Sequence, residues 1–258
     1  MARTTAFVYG VACYLVFFVT FLYAIGFVGN LVVPKSIDSP PQRPFPQALI
    51  VNSLLLSLFA VQHSVMARRW FKAWWTQFVP TPIERSTYVL CASLALILLF
   101  WLWQPMGGTV WNVEQPVVRA VLQALFICGW LMVLIATFLI NHFDLFGLRQ
   151  VYLYLRGKDY RPLEFATPGP YKLVRHPLYV GFFIAFWATP TMTVAHLVFA
   201  LATTAYIMVA VFFEEADLEA YLGEAYRRYR QSTPKFIPRV SRKAEQATPD
   251  SQVAGGSE

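Results

Sequence analysis

The segment RHPLYVG, from Arg175 to Gly181, places an arginine, a histidine and a tyrosine at the start of a long apolar run. Pro177 suits the first position of a helix, because its missing N–H group would be unpaired there in any case. His176 is then expected at the helix cap, with Tyr179 and Gly181 in the first turns. Free N–H groups at a helix start bind anions or polar ligands, and a glycine lets a flat ring approach the backbone. The segment therefore indicates a ligand site. The alternative is a helix start at a membrane surface, with Arg175 extended towards water.

Two adjacent carboxylates, Glu214 and Glu215, directly follow the end of the same apolar run. Neighbouring helical positions point about 100° apart, so one carboxylate can face inward while the other faces water. Ionisable groups at the edge of a membrane are costly and usually face a cavity or a pathway. We interpret this pair as functional, and Glu219 and Glu224 further along as solvated charges.

A third polar cluster, NHFDLFGLRQ, contains Asn141, His142, Asp144 and Arg149 where another apolar run ends. These side chains suffice for hydrogen bonding, for proton transfer or for binding an anionic group. A helix that leaves the membrane into a basic loop would explain Arg149, but it would not explain four clustered polar types. Both interpretations stay open at this point.

The composition identifies the surroundings in which these residues act. Of the 258 residues, 57% are hydrophobic and 14% are charged, and the mean hydropathy is +0.48, which is too apolar for a soluble domain of this length. Four apolar runs reach the roughly 20 residues that cross a bilayer as a helix. They are Thr5 to Val33, Gln47 to Met66, Ser86 to Trp103 and Val117 to Ile140. The first run is expected to be a retained anchor, since no small-residue cleavage site follows it.

The fifth apolar run, Leu178 to Phe213, is too long for one crossing. Its about 36 residues would extend roughly 54 Å as a helix, nearly twice the hydrocarbon thickness. Within ATPTMT, residues 188–193, Pro190 removes a backbone donor and disfavours helix at Thr189. The sequence thus predicts an all-α integral membrane protein with four spanning helices and a C-terminal helical hairpin whose first arm is short.

The distribution of basic residues supports this topology. With a cytoplasmic N-terminus and a hairpin, all but three of the 21 Lys and Arg residues face the cytoplasm, the exceptions being Lys35, Arg43 and Arg119. That asymmetry matches the positive-inside rule. Both termini and the segments 141–177 and 214–258 are then cytoplasmic.

Three regions follow from this organisation. We expect the spanning helices at 1–140, a catalytic and cofactor-binding region at 141–240, and a disordered tail at 241–258, which lacks aromatic residues.

The net charge of +7 is explained by topology and by attraction to anionic lipid, so no nucleic acid is expected as a partner. The three cysteines, Cys13, Cys91 and Cys128, show no metal-ligand spacing and are expected to pack as small apolar residues. No metal site is expected.

Together these motifs resemble the isoprenylcysteine carboxyl methyltransferase superfamily. The resemblance spans residues 165–239 and rests on the RHP motif, the hairpin, the Glu214-Glu215 pair, Tyr226, Tyr229 and the segment TPKFIPR. Within that superfamily, the segment NHFDLFGLRQVYLYLRGKDY and the preceding helices resemble bacterial enzymes that methylate a small thiol. This closer resemblance covers most of the chain.

The resemblance implies S-adenosyl-L-methionine as methyl donor, bound at the cytoplasmic face of the bacterial inner membrane. It implies that His176, Tyr179 and Gly181 contact the adenosine or methionine part, and that the two glutamates bind hydroxyl groups or the amino group. The full set of implied cofactor-binding residues is Arg175, His176, Tyr179, Gly181, Glu214, Glu215, Tyr226 and Tyr229. The implied reaction converts methanethiol to dimethyl sulfide, with a small-molecule thiol and membrane lipid as partners.

A thiol must lose its proton before it attacks, since only a small fraction is ionised near neutral pH. His142 or Asp144 could accept that proton and Arg149 could stabilise the thiolate, with Asn141 beside them; the sequence does not rank these candidate catalytic residues. Some aromatic side chains could line a small apolar thiol cavity, whereas most aromatic residues of the chain are expected to face lipid or the core. The candidates are Phe143, Phe146, Phe182, Phe183 and Trp187.

Other activities remain as alternatives. The acceptor could be another thiol or a prenylcysteine carboxylate. A membrane reductase that uses NADPH is a further alternative, because sterol reductases resemble the same C-terminal core. A haem protein is the third, since histidines at four positions are available as axial ligands, namely His63, His142, His176 and His196.

Overall fold

The computed structural model describes residues 2–239, so the expected tail at 241–258 lies outside the described residues. Five helices of 22 to 29 residues are long and apolar enough to cross a membrane, and the chain is a mostly helical, multi-pass membrane protein. In chain order the helices are α1 (Arg3–Gly29), α2 (Phe45–Ala67), α3 (Arg69–Trp75), α4 (Thr81–Leu102), α5 (Pro116–Ile140), α6 (His142–Leu145), α7 (Leu148–Leu155), α8 (Pro177–Trp187), α9 (Val194–Leu222) and α10 (Glu224–Ser232). The five long helices are α1, α2, α4, α5 and α9.

The ends of the long helices lie close to the ends of the apolar runs. α1 ends at Gly29, because Asn30 adopts a left-handed conformation with φ of 55°. α2, α4 and α5 each carry a proline at the first or second position, where a missing N–H costs no helical hydrogen bond. Sequence signals for a helix start therefore agree with the structure.

The predicted break in the fifth apolar run is confirmed. α8 ends at Trp187 and α9 begins at Val194, and the two helices lie antiparallel: Phe186 packs on Phe199 near the break, and the Tyr179 hydroxyl reaches Glu214 at the far end. α9 runs on to Leu222, so both glutamates lie inside a helix. Gly223, with φ of 59°, ends α9 and starts α10.

The prediction of an all-helical chain missed a small sheet. Strand β1 (Thr109–Asn112) pairs antiparallel with strand β2 (Thr191–Thr193), which joins the loop before α5 to the turn between α8 and α9. The β-branched residues threonine and valine suit such a pair. Apolar periodicity identifies long helices, but it does not show which short loop segments pair with each other.

The closest helix pair is α5 with α8. A Cβ on Gly129 would lie 2.6 Å from the Ala185 backbone nitrogen, and one on Gly181 would lie 2.8 Å from the Gly129 carbonyl oxygen. Glycines on both helices thus allow backbone contact, as in many membrane helix pairs. The contacts run antiparallel, so the end of α5 that leads to His142 lies at the same end of the molecule as His176.

Candidate functional site

Glu215 is the centre of a buried ionic cluster that joins α8, α9 and the segment after α10. Its Oε1 accepts hydrogen bonds from Nε of Arg175 at 2.8 Å and from Nε2 of His176 at 3.0 Å, and its Oε2 lies 3.4 Å from Nζ of Lys235. Arg175 also donates to the carbonyl oxygens of Arg230 and Thr233. The structure therefore brings together three of the predicted residues, Arg175, His176 and Glu215.

The position of His176 agrees with the prediction from the sequence. It caps α8, and Pro177 occupies the first turn. Because its Nε2 donates to a carboxylate, that nitrogen carries a proton, and the ring is fixed between α8 and α9. The backbone N–H groups of Arg175 and His176 donate to the carbonyls of Pro234 and Lys235 at 2.8 and 3.2 Å, which holds the segment after α10 against the start of α8.

Glu214 faces a different side from Glu215. Its Oε2 accepts a hydrogen bond from the Tyr179 hydroxyl at 2.9 Å, and its side chain is half-buried, whereas Glu215 is buried. Glu215 therefore faces inward, as expected of one carboxylate of the pair, whereas Glu214 contacts Tyr179 and is not simply exposed to water. Glu215 is already bound by cations, so it is Glu214 that has acceptor capacity left for a ligand.

Three tyrosines lie near the charged groups of Arg175, Glu214 and Glu215. Burial and the nearby Glu214 raise the pKa of Tyr171, and burial together with Glu215 raises that of Tyr226. Burial also raises the pKa of Tyr229 to about 12, and its hydroxyl donates to the Tyr171 carbonyl oxygen at 2.6 Å. Among the described residues, the buried hydroxyls of Tyr171 and Tyr226 have no hydrogen-bond partner. Buried polar groups normally have partners, so these two hydroxyls are available to hydrogen-bond to water or to a ligand.

Gly181 does not lie open to a ligand on the side where a Cβ would project. That side is filled by Gly129 and Val133 of α5, with the Val133 Cγ2 2.9 Å from an ideal Cβ position. The absence of a side chain at Gly181 is thus explained by helix packing. Its proposed contact with a cofactor ring would have to come from another direction.

The cluster after α5 divides into two parts. Asp144 Oδ1 accepts from Nη1 of Arg149 at 2.8 Å, and Asp144 Oδ2 accepts from the Tyr160 hydroxyl at 3.2 Å. Asn141 has a positive φ of 122°, and its side-chain oxygen accepts from the Asp144 backbone N–H at 3.1 Å, which caps α6. Asn141, Asp144 and Arg149 therefore hold the loop together, and the Asp144 carboxylate is occupied.

His142 points away from this ion pair, towards α1. It is buried; its Nε2 lies 2.8 Å from the Tyr14 hydroxyl and its Nδ1 lies 2.9 Å from Thr137 Oγ1. The ring stacks on Phe138 with centroids 4.2 Å apart. Burial lowers the pKa of His142, which favours the neutral imidazole.

The aromatic residues expected to line one thiol cavity lie in two places. Phe146 stacks on Phe17 of α1 at 3.8 Å, beside His142, and Phe143 packs edge-on against the same imidazole. Phe182, Phe183 and Trp187 lie on α8 and contact Trp130, Phe236 and Thr204 respectively. A small space of about 10 Å³, room for about one water molecule, lies between α1 and α5. Its lining residues are Phe17, Phe18, Phe21, Val133, Leu134, Thr137 and His142.

The histidines considered as haem ligands each have separate protein partners. His63 contacts the Tyr88 hydroxyl at 3.0 Å, and His196 Nε2 contacts the Phe186 carbonyl oxygen at 2.9 Å. Among residues 2–239, no three His, Cys, Asp or Glu side chains come together as metal ligands.

Four residues of the site were missed by sequence reasoning. Lys235 lies within the TPKFIPR motif, which could have indicated it, and Tyr171 precedes the RHP motif by a few residues. Tyr14 and Thr137 lie inside apolar runs, and no local pattern distinguishes them from other polar residues of spanning helices.

The sequence of this chain is similar to those of known proteins. The model of the phospholipid methyltransferase family matches residues 120–227. A methanethiol S-methyltransferase of Crocosphaera subtropica is 56% identical over 95% of this chain and 96% of its own length, and one of Mycobacterium tuberculosis is 56% identical over 92% and 98%. Nurim of Rattus norvegicus is 31% identical over 72% of this chain and 74% of its own length. No solved structure matches the chain. The resemblance indicated by the sequence motifs is confirmed by these relatives.

Proposed function

The chain belongs to the methanethiol S-methyltransferase family, and from this premise we propose that it methylates methanethiol to dimethyl sulfide. The observation that carries the proposal is 56% identity over 96% of the length of a relative with that name. A match confined to the cofactor core would leave the acceptor open. Here the similarity also includes α1 and the loop after α5, where His142 lies.

The methyl donor that we propose is S-adenosyl-L-methionine, which supplies a methyl group on a positively charged sulfur. The residues fit such a ligand. The cluster holds two positive charges, on Arg175 and Lys235, and one negative charge, on Glu215. The remaining positive charge suits the carboxylate of an amino acid. Glu214 suits its ammonium group or the ribose hydroxyls, and the unpartnered hydroxyls of Tyr171 and Tyr226 suit further hydrogen bonds.

The roles of the other predicted residues follow from these contacts. Glu215 orients Arg175 and His176, so it acts through those side chains. Tyr179 positions the Glu214 carboxylate, and Tyr229 fixes the Tyr171 backbone. Residues 141–240 would then form the catalytic and cofactor-binding region, with residues 1–140 as the membrane scaffold.

The chemical step requires alignment of the sulfur with the methyl group, exclusion of water, and removal of the thiol proton. His142 is the candidate base that we favour, because it is buried and because burial favours the neutral imidazole, the form that can accept a proton. Asp144 is less suited, since its ion pair with Arg149 stabilises the charged carboxylate, whereas the hydrogen-bond partners of His142, Tyr14 and Thr137, are uncharged. Arg149 is likewise paired, which argues against a free cation for the thiolate.

For the membrane arrangement we propose four spanning helices, α1, α2, α4 and α5, followed by a hairpin of α8 and α9. α8 has 11 residues and would cross only part of the bilayer. The distribution of basic residues supports cytoplasmic termini, and the bacterial relatives support the inner membrane.

Calorimetric titration followed by a headspace assay tests this function. Purified protein should bind S-adenosylmethionine and its demethylated product, and should form dimethyl sulfide from methanethiol at a rate that rises with pH. His142→Gln should lower turnover by about 10²-fold or more, the usual contribution of a general base, without changing cofactor affinity. Asp144→Asn and Arg149→Gln should have smaller effects on turnover.

Binding of NADPH without binding of the demethylated cofactor would instead support a reductase. Methylation of a carboxylate at a rate that does not rise with pH would contradict a thiol substrate.

A further inference from the structure

We propose that a cleft between α3, the start of α4 and the segment after α7 binds the phosphate headgroup of an anionic phospholipid. The cleft shares no residue with the cluster of Arg175 and Glu215, so its ligand is independent of the proposed methyl transfer. Such a site also gives a role to Asp144 and Arg149, whose charges are paired with each other and are not free for chemistry.

The cleft is large enough for a headgroup. Its volume is about 480 Å³, within the range of about 300–1,000 Å³ that is usual for small-molecule sites. Lys72 of α3, Thr81 and Arg85 of α4, and Tyr160 after α7 are among its lining residues. Because the cleft is open and not enclosed, a headgroup can enter it without a change in the helices.

The charged side chains of the cleft favour a ligand with one negative charge. Three of them are cations and two are carboxylates, namely Lys72, Arg85 and Lys158 against Glu84 and Asp159. Within residues 2–239, none of these five side chains forms an ion pair. The excess of one positive charge matches the single negative charge of a phosphodiester, a group that cationic side chains bind through strong hydrogen bonds.

Lys72 and Arg85 are two like charges held near each other. Burial and the Arg85 charge lower the pKa of Lys72, and the opposing effect of Glu84 is smaller. Glu84 lies in the first turn of α4, where the positive end of the helix dipole stabilises a carboxylate. An anion bound between Lys72 and Arg85 would offset their repulsion, and a guanidinium group can hold two phosphate oxygens at once.

The wall of the cleft on the side of α7 is fixed by the polar cluster after α5. Gln150 and Tyr160 line the cleft, and both donate hydrogen bonds to Asp144. Gln150 Nε2 lies 3.1 Å from the backbone carbonyl oxygen of Asp144, and the Tyr160 hydroxyl lies 3.2 Å from Oδ2. Arg149, the ion-pair partner of Asp144, lies over the Tyr160 ring at 5.2 Å from its centroid. The segment NHFDLFGLRQ therefore holds one side of the site in place.

Aromatic side chains beside the cleft indicate that it lies at the level of the lipid headgroups. Trp70 and Trp74 of α3 are 65% and 47% exposed, and Phe78 after the helix is 68% exposed. Trp70 and Trp74 are four residues apart and share one face of α3, whereas Lys72 lines the cleft. Exposed tryptophans of membrane proteins concentrate at the boundary between lipid and water, and basic pockets at the cytoplasmic ends of spanning helices bind anionic headgroups. A lipid is therefore favoured over a soluble anion.

Native mass spectrometry of the purified protein with added lipid tests the site. The parent should bind phosphatidylglycerol about 5-fold to 10-fold more tightly than phosphatidylcholine, whose headgroup has no net charge. Arg85→Gln and Lys158→Gln should each lower the affinity for phosphatidylglycerol by about 10-fold, the value of one hydrogen bond to a charged group. Lys158 is exposed, so its substitution tests the site even if Arg85→Gln disturbs folding.

Arg69→Gln is the matched control. Arg69 is also a cation of α3, but it contacts the Asp217 carbonyl oxygen and the Tyr221 ring, so this variant should bind phosphatidylglycerol like the parent. An equal loss of affinity in Arg69→Gln would indicate a general attraction between a basic surface and anionic lipid, and would overturn the proposed site.

Three further results would also overturn it. Equal affinity of the parent for the two lipids would mean that the acyl chains are bound and not the headgroup. Parental affinity in both Arg85→Gln and Lys158→Gln would place the lipid elsewhere. Displacement of the lipid by inorganic phosphate, beyond the effect of sodium chloride at the same ionic strength, would assign the cleft to a soluble anion. None of these measurements uses the cofactor or a thiol, so their failure would leave the proposed methyl transfer unaffected.

Discussion

Arg175 contacts a single carboxylate oxygen of Glu215 through two of its nitrogens. Nε and Nη2 each lie 2.8 Å from Oε1, and both side chains are more than nine-tenths buried. His176 donates to the same oxygen at 3.0 Å. One glutamate thus joins the start of α8 to α9, and the positions of two cofactor-site residues depend on it.

Loss of the Glu215 carboxylate should destabilise the protein as well as weaken cofactor binding. Glu215→Ala leaves the Arg175 guanidinium buried without a counter-charge, which typically costs about 3–5 kcal/mol. The exposed ion pair of Arg68 and Asp217, on the same helix α9, is the control; Asp217→Ala should cost about 0–1 kcal/mol. Unfolding in detergent compares the two variants. Equal losses of stability would show that the buried cluster has no special role.

Removal of the Tyr226 hydroxyl should affect binding and not folding. Because this buried hydroxyl lacks a partner among the described residues, Tyr226→Phe should leave the unfolding temperature unchanged or raised. Cofactor affinity should fall by about 3-fold to 10-fold, the value of one hydrogen bond. Tyr229→Phe is the control, since its hydroxyl is bonded to the Tyr171 carbonyl; it should lose about 1 kcal/mol of stability. A Tyr226→Phe variant that is destabilised but binds normally would contradict a ligand role.

The sequence predicted the elements whose signals are local. Apolar length identified the spanning helices, Pro190 located the break, and Pro177 placed His176 at the cap of α8. Helical geometry predicted that Glu214 and Glu215 point in different directions, and Glu215 is buried while Glu214 is half-buried against Tyr179.

What remained unpredictable depends on contacts between distant segments. Tyr14 contacts His142, although the two residues are 128 positions apart in the chain. Strands β1 and β2 lie in two separate loops, and apolar periodicity does not predict that they pair. The sequence names Asp144 as a candidate base, but it does not show that Arg149 and Tyr160 bind its oxygens. Residue types limited the possible chemistry, but the tertiary partners determine which group is free to act.

Gly181→Ala should disrupt the contact between α5 and α8. Its Cβ would lie 2.8 Å from the Gly129 carbonyl oxygen, a backbone atom that cannot rotate away, so stability should fall by about 1–3 kcal/mol. Gly107→Ala is the control, because among the described residues its Cβ would meet Pro41 alone, at 3.4 Å. Thermal unfolding in detergent measures the difference. If Gly181→Ala keeps parental stability but loses cofactor affinity, the glycine serves the ligand and not the packing.

Stability should fall at acidic pH because of His142. Burial lowers its pKa from the ordinary value of 6.5, so the unfolded chain binds a proton that the folded protein resists. The contribution of His142 to folding is therefore present above pH 6.5 and decreases as the pH falls towards the lowered pKa. The unfolding temperatures of the parent and of His142→Gln, compared between pH 7.5 and 5, isolate this group. A constant difference across that range would contradict a neutral buried imidazole.

Reporter fusions should find both polar ends of the hairpin in the cytoplasm. α8 and α9 lie antiparallel, and the basic residues that follow α9 include Arg227, Arg228 and Arg230, which the positive-inside rule keeps on the inner side. A reporter fused after Pro238 and one inserted at residues 76–82 should therefore both give a cytoplasmic signal, whereas one inserted at Gly107, in the loop before α5, should give a periplasmic signal. The insertion at Gly107 is the control for expression and membrane insertion. A periplasmic signal after Pro238 would place the cluster of Arg175 and Glu215 on the opposite side from the cellular supply of S-adenosylmethionine, and both the hairpin and the cofactor site would have to be abandoned.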